Sequence, residues 1–190
     1  MCCRCVFQIV NDQGKVPRDE ALVYGAIVRL VHHATRWTLT AVKDYTGPDR
    51  ANAMSLRLKR TFREKEAVYA QFYILPRYSM RSEGDPVFTN DRIILESCRF
   101  RNAKMCLTAA SQNPTVEPVV GLKQSGYEGN GFKINCVGRY NAPNANSAVK
   151  PDTVFGGQFV RFWHQELRAF LVSRGRQDAQ WLMAVAIVQI

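Results

Sequence analysis

The chain has 190 residues, a formal net charge of +10 and 46% hydrophobic residues. This length and apolar content predict one domain with a real core, with room for a piece of a second. The chain contains no run of 18 apolar residues, so no transmembrane helix is predicted. The start of the sequence has no signal-peptide pattern, which favours the cytosol. The positive charge predicts attraction to phosphates, nucleic acid or an anionic membrane face, without choosing among them.

Short β-prone segments follow one another along the chain, separated by turns rich in Gly and Pro. Strands are predicted at Cys5–Val10, Ala26–His32, Trp37–Val42, Ala53–Leu58, Tyr69–Leu75, Arg92–Cys98, Lys104–Ala109, Thr115–Lys123, Gly131–Val137, Phe159–His164, Ala169–Ser173 and Trp181–Val188. The segment Arg139–Val154 is rich in Asn, Ala and Pro and predicts a linker. No segment carries a long helical periodicity, and only the window Glu66–Tyr73 is ambiguous. Many short strands at this spacing predict an all-β barrel or sandwich.

One segment of the sequence returns three times. It reads GAIVRLVHHATRWTLT from Gly25, NDRIILESCRFRNAKMCLT from Asn90 and GQFVRFWHQELRAFL from Gly157. In the first and third copies a histidine, His32 or His164, follows the leading glycine by seven positions. The copies begin about 65 residues apart, an interval that suits a three-fold β domain with insertions.

Catalysis has little support in the sequence. The chain contains no GxSxG, HExxH or P-loop motif. Its acidic residues form no obvious carboxylate pair. Equivalent positions of a three-fold domain lie far apart around its axis, so His32 and His164 are predicted to have structural roles rather than to share a metal or acid–base site.

The six cysteines divide into two groups. Cys98, Cys106 and Cys136 lie in predicted strands, where a reduced cysteine acts as a small apolar residue. The three at the start of the chain leave two further alternatives open, half of a zinc site or acylation. This second group consists of Cys2, Cys3 and Cys5.

Four stretches of the chain resemble the cytosolic N-terminal region of the inositol 1,4,5-trisphosphate receptor family and, more distantly, the ryanodine receptors. Their order and approximate spacing agree over residues 5–177. The four stretches are Tyr24–His32, Asn52–Met54, Phe72–Asp85 (FYILPRYSMRSEGD) and Gly156–Leu171 (GGQFVRFWHQELRAFL). The resemblance implies a β-trefoil of the MIR type with three four-stranded units, which in this chain is incomplete or rearranged.

The resemblance also implies a division of the chain. Residues 1–140 are similar to the regulatory first trefoil of the family, without its first unit. Residues 141–154 would be a linker. Residues 155–190 look like a truncated start of the ligand-binding trefoil, and we expect them to dock beside the first two copies as a third unit.

The function implied by the resemblance is a non-catalytic regulatory or ligand-sensing module of an intracellular calcium-release channel, on the cytosolic face of the endoplasmic reticulum. No cofactor is implied, and the other domains of the channel tetramer are the implied partners. The segment Phe170–Gln177, FLVSRGRQ, resembles the receptor loop FLxTTGRQ that holds the ring phosphates of the inositol ligand. On that match the candidate phosphate-binding residues are Ser173, Arg174, Gly175 and Arg176.

Two of these candidates also have a physical reason. Gly175 has no Cβ and lets the backbone approach a phosphate closely, and Arg176 offers a charge-assisted fork to phosphate oxygens. The basic cluster that forms the opposite wall of the family's pocket has no match here, so weak or lost binding is expected. An ordinary basic turn is the alternative for this segment.

Two other functions stay open. The first is a stand-alone MIR-type trefoil that binds a glycan or a protein partner. The second, and the least favoured, is a basic nucleic-acid binder, in which some aromatic residues would form a stacking platform instead of core.

Overall fold

The computed structural model describes residues 5–15, 20–42, 54–60, 63–110, 119–124, 129–138, 152–173 and 183–189. Within these residues lie twelve strands of a single sheet, paired antiparallel throughout. They are β1 Phe7–Asn11, β2 Ile27–His32, β3 Thr38–Val42, β4 Met54–Lys59, β5 Phe72–Pro76, β6 Arg92–Ser97, β7 Met105–Ala110, β8 Val119–Gln124, β9 Phe132–Cys136, β10 Phe159–His164, β11 Ala169–Ser173 and β12 Met183–Gln189. Two short 3-10 helices span Glu64–Ala70 and Cys98–Ala103.

Six of the strands close into a barrel. Their order is β1, β2, β5, β6, β9, β10 and back to β1. The other six form the hairpins β3–β4, β7–β8 and β11–β12, and the second strands of these hairpins pair with one another. Three sets of four strands around one axis make a β-trefoil, so the predicted all-β fold and its three-fold repeat are confirmed.

The leading residue of each copy occupies the same backbone conformation. Gly25, Asn90 and Gly157 have φ values of 87°, 73° and 84°. This left-handed region is open to Gly and tolerated by Asn, which explains why the second copy can begin with an asparagine. The amide of each leading residue donates, at 2.6–2.7 Å, to the carbonyl of an isoleucine on a neighbouring barrel strand: Ile74, Ile134 and Ile9.

In each set of four strands, a loop connects the two barrel strands. A ring of three backbone hydrogen bonds joins these three loops. The amide of Leu22 donates to the carbonyl of Val154, that of Val154 to Val87, and that of Val87 to Leu22. Each distance is 2.8 Å, and all three side chains are buried. Because each set of four strands supplies one member, the ring needs the third set as much as the first two.

The core lies inside the barrel and follows the two-residue period of its strands. In β2 and β10 buried and half-buried residues alternate strictly. The inward side chains are Phe7, Ile9, Val28, Leu30, Phe72, Ile74, Ile93, Leu95, Phe132, Ile134, Val160 and Phe162. Strand β1 is buried on both faces, because a second cluster, made of Cys5, Val6 and Val172, accompanies the main core.

Two local predictions differ from the structure. The segment predicted as a strand from Tyr69 begins as a 3-10 helix, and β5 starts only at Phe72. Tyr69 instead packs edge to face against Phe100 with ring centroids 5.8 Å apart. The second 3-10 helix, Cys98–Ala103, ends at Lys104 in the left-handed conformation with φ 47°. It makes this hairpin longer than its equivalents, which the sequence pattern did not indicate.

The strands of the third copy share the sheet with those of the first two. Strand β10 pairs with β1 and β9, and β12 pairs with β4 and β8. Most of the predicted linker, residues 139–151, lies outside the described residues. The division of the chain at residues 141–154 therefore stays a prediction.

The described cysteines are reduced thiols; Cys106 and Cys136 lie in strands, as predicted, whereas Cys98 begins the 3-10 helix Cys98–Ala103. Cys106 is buried, and burial raises the pKa of the Cys98 thiol to about 11. Burial also raises the pKa of Cys136. Cys5 is buried in the second cluster, whereas Cys2 and Cys3 lie outside the described residues.

Candidate functional site

Ser173 is the one predicted phosphate-binding residue that the structure describes. It is the last residue of β11, and its side chain is only 3% exposed. Its Oγ lies 3.0 Å from Nε2 of His32 in the first copy. Arg174, Gly175 and Arg176 lie outside the described residues. The structure thus joins Ser173 to a histidine that the sequence analysis treated separately.

His32 is held from both sides of its ring. Its Nδ1 lies 2.9 Å from Oγ1 of Thr35, in the turn after β2, and its Nε2 faces Ser173. The ring packs edge to face on Phe7, with centroids 5.5 Å apart. Only 1% of His32 is exposed. The predicted structural role of this histidine is confirmed, because its side chain connects the first and third copies.

His164 occupies the equivalent place in the third copy but has different partners. Its Nε2 lies 2.9 Å from the carbonyl oxygen of Gly129, which can only accept, so this nitrogen carries the proton. Its Nδ1 accepts from the amide of Leu167 at 3.2 Å. Both ring nitrogens are therefore satisfied with a neutral imidazole. A side chain at Gly129 would collide with the Ala109 carbonyl at 2.3 Å, so the close approach requires glycine.

The second copy carries Ser97 where the other two carry histidine. Ser97 is fully buried, and in the part of the chain that the structure describes its Oγ has no hydrogen-bond partner. Asn130, beside Gly129, is 1% exposed, and neither polar atom of its amide has a described partner. At the three equivalent positions, the two histidines thus have hydrogen-bond partners, whereas the serine has none in the described part of the chain.

Thr35, His32 and Ser173 are connected through their side chains in the way that an orienting group, a base and a hydroxyl nucleophile are connected in a catalytic triad. A nucleophile must meet its substrate, however, and both His32 and Ser173 are buried. The distances fit a structural hydrogen-bond network that holds Ser173, in β11, against His32, in β2. The segment that follows immediately, residues 174–177, carries the basic turn predicted to meet phosphate.

The comparison with protein families matches a model described as "Inositol 1,4,5-trisphosphate/ryanodine receptor" over residues 5–141. That match spans more than half of the chain. The chain belongs to the inositol 1,4,5-trisphosphate/ryanodine receptor family. The family resemblance drawn from the four sequence stretches is therefore confirmed.

Several solved structures share the fold of this receptor-family chain. An SDF2-like protein from Arabidopsis thaliana matches with a TM-score of 0.68 at 15% identity, covering 90% of each chain. A Caenorhabditis elegans protein of unknown function matches with a TM-score of 0.68 at 12% identity, covering 91% of this chain and 92% of that one. The S. cerevisiae protein O-mannosyltransferase Pmt1-Pmt2 complex, bound to the sugar donor, matches with a TM-score of 0.64 at 14% identity.

The last match covers 89% of the receptor-family chain but only 23% of the mannosyltransferase chain. At these identities the likeness shows the trefoil fold and nothing about ligands. Among the residues that the structure describes, none of the helices has the length and hydropathy needed to cross a lipid bilayer.

Proposed function

We propose that this chain is a non-catalytic, ligand-sensing regulatory module of an inositol trisphosphate-gated calcium-release channel. It would work on the cytosolic face of the endoplasmic reticulum, in contact with the other domains of the channel tetramer. Its family membership over residues 5–141 supports the regulatory role. Its net charge of +10 favours an anionic ligand such as an inositol phosphate.

The observation that carries the ligand proposal is the hydrogen bond between Ser173 and His32. It anchors Ser173 of β11 to the end of β2, and in this proposal the basic segment that follows Ser173 would start from a fixed point. A rigid support for a binding loop lowers the ordering cost of ligand binding. In this proposal Arg174 and Arg176 supply the charges and Gly175 the close backbone approach, while Ser173 is a positioning residue.

The burial of His32 and Ser173 supports a non-catalytic role. The pair has hydroxyl–imidazole geometry, but both side chains are buried, so a substrate carbonyl or phosphoryl group does not have access to Oγ of Ser173. The hydrogen bond of the pair instead stabilises the packing of the first copy against the third. A binding module that reports ligand occupancy to neighbouring domains fits this arrangement better than a hydrolase does.

Isothermal titration calorimetry with inositol 1,4,5-trisphosphate tests the proposal. We expect weak but measurable binding, and we expect Arg176→Ala to weaken it by about 10- to 150-fold, the equivalent of one charge-assisted contact. Arg99→Ala is the matched control, because it removes the same charge from an exposed position on the β6–β7 hairpin. Its binding should stay near that of the native chain.

Mannose and a short RNA serve as the competing ligands. Binding of mannose without inositol trisphosphate would favour the glycan-binding alternative. Equal losses in the Arg176→Ala and Arg99→Ala chains would mean that only net charge matters, and the ligand proposal would then be wrong.

A further inference from the structure

A basic and aromatic face lies on the outside of the barrel. We define this face by Arg77, Tyr78, Arg92, Lys133 and Trp163. In β6 and β9 the neighbouring residues Ile93 and Phe132 point into the core, so residues 92 and 133 point outward.

Two cations on this face stand directly opposite each other. Arg92 of β6 pairs with Lys133 of β9, and Lys133 pairs on its other side with Trp163 of β10. Like charges in directly opposite positions of an antiparallel pair are destabilising. Neither cation makes an ion pair with a carboxylate among the described residues, whereas Lys59 is paired with Glu66 at 3.7 Å. The fold tolerates a repulsion here that one acidic side chain would remove.

A third cation converges on the same point. Arg77 follows β5, and its amide donates to the carbonyl of Arg92 at 3.0 Å. Its side chain lies over Gly131, where an added Cβ would come within 3.3 Å of Nε. Gly131 and Lys133 are two positions apart and share the outer face of their strand. The missing side chain at position 131 thus makes room for Arg77 beside the other two charges.

Two aromatic rings, Tyr78 of this face and Phe170 beside it, each lie near a guanidinium group. Arg92 lies 5.7 Å from the ring centroid of Tyr78 and donates a hydrogen bond to its hydroxyl. Arg161 lies 5.9 Å from the centroid of Phe170, which itself packs edge to face on Trp163 at 4.7 Å. Rings arranged in this way hold the arginine forks in position, and the face of the Tyr78 ring under Arg92 is not free for a stacked base.

Two large apolar side chains border the cations on the loop after β5. Tyr78 is 53% exposed and Met80 is 89% exposed. Exposed Tyr, Met and Arg together are typical of the cores of protein–protein interfaces. Carboxylates match fixed guanidinium forks in a bidentate manner.

We propose that this face docks an acidic segment of a partner protein, with carboxylates at Arg77, Arg92 and Lys133 and an apolar side chain against Tyr78 and Met80. The inference stands whether or not the basic turn at residues 174–176 binds phosphate. It assigns the surface to a peptide and not to nucleic acid.

Fluorescence anisotropy of the full chain tests the proposal with a labelled dodecapeptide of alternating Glu and Leu. We expect the Arg92→Glu/Lys133→Glu double variant to bind this peptide about tenfold more weakly, or worse. The matched control is Arg99→Glu/Arg101→Glu, which makes the same change in charge on the exposed hairpin of the second copy. It should bind within about threefold of the native chain.

A single variant separates a binding role from a structural one. Lys133→Glu places a carboxylate opposite Arg92 and should raise the melting temperature by about 1–4 °C. The same change should weaken binding of the acidic peptide. A variant that is more stable but binds the peptide more weakly would show that the positive charge at this position serves binding and lowers stability.

Three results would overturn the proposal. The first is equal loss of binding in the two double variants, and the second is equal binding of a peptide in which Gln replaces Glu. The third is binding of a labelled twelve-nucleotide poly-U RNA that depends on Arg92 and Lys133 while the acidic peptide does not bind. That last result would assign the face to nucleic acid.

Discussion

Nε2 of His32 lies 3.0 Å from Oγ of Ser173, although 141 positions separate the two residues in the chain. The contact ties the end of β2 in the first copy to the end of β11 in the third. Both side chains are buried, so water cannot replace either partner if one is removed. The hydrogen bond is therefore a stability determinant as well as an anchor for the basic segment that follows.

Replacement of His32 should destabilise the trefoil strongly. We expect His32→Ala to lower the free energy of unfolding by about 2–4 kcal/mol, because it leaves a cavity beside Phe7 and removes the partner of Ser173. Urea denaturation followed by circular dichroism measures the change. The neighbouring His33 is exposed, and its ring contacts Phe159 at 4.5 Å. His33→Ala should cost less than about 1 kcal/mol, and equal effects of the two substitutions would contradict this interpretation.

Much of the fold could be predicted because each copy of the repeat contains the local signals that determine its turn and its strands. Gly25, Asn90 and Gly157 mark the same left-handed turn three times, and the alternating pattern of β2 returns in β10. These are local signals, written within a few neighbouring residues. The closure of the barrel from six strands is not local, and the family resemblance supplied it.

The candidate site could be predicted only in part. The pairing of His32 with Ser173 depends on contacts between the first and third copies, for which neither segment carries a sequence signal. The 3-10 helix Cys98–Ala103 depends on packing of Phe100 against Tyr69 and not on helical periodicity. The like-charge pair Arg92 and Lys133 becomes visible only once the register of β6 and β9 is known.

Two buried serines should respond in opposite directions to the same substitution. Ser173→Ala removes a hydroxyl that is bonded to His32 and should destabilise the chain by about 1–3 kcal/mol. Ser97→Ala removes a hydroxyl that has no described partner and should stabilise it by about 1 kcal/mol. Thermal and urea unfolding of the two variants give the comparison. Destabilisation of similar size in both would show that Ser97 has a partner after all.

Glu96 should make the stability depend on pH. Its carboxyl group is buried among Tyr73 and Cys106, its neighbours on adjacent strands, and burial raises its pKa above the ordinary value of 4.5 despite the nearby Arg101 and Lys104. A raised pKa in the folded state means that the stabilising contribution is full below pH 4.5 and is lost as the pH rises through the folded value.

Glu96→Gln keeps the shape of the protonated side chain and removes the charge. The variant should therefore be more stable than the native chain at pH 7.5, and the difference should shrink as the pH falls toward 4.5. Urea midpoints across this range measure it. A difference that does not change with pH would mean that the two cations cancel the effect of burial, and a variant less stable at pH 7.5 would mean that Arg101 and Lys104 outweigh it.

Removal of residues 156–190 should abolish cooperative unfolding. The deletion takes away β10, β11 and β12, and with them the strand that closes the barrel between β9 and β1. It also removes the partners of β4 and β8 in the hairpin triplet and the hydroxyl of Ser173 that bonds to His32. Differential scanning calorimetry should show a sharp transition for the full chain and none for the truncated one. A sharp melt of the truncated chain would mean that the first two copies fold without the third, and the shared barrel would then not be the unit of stability.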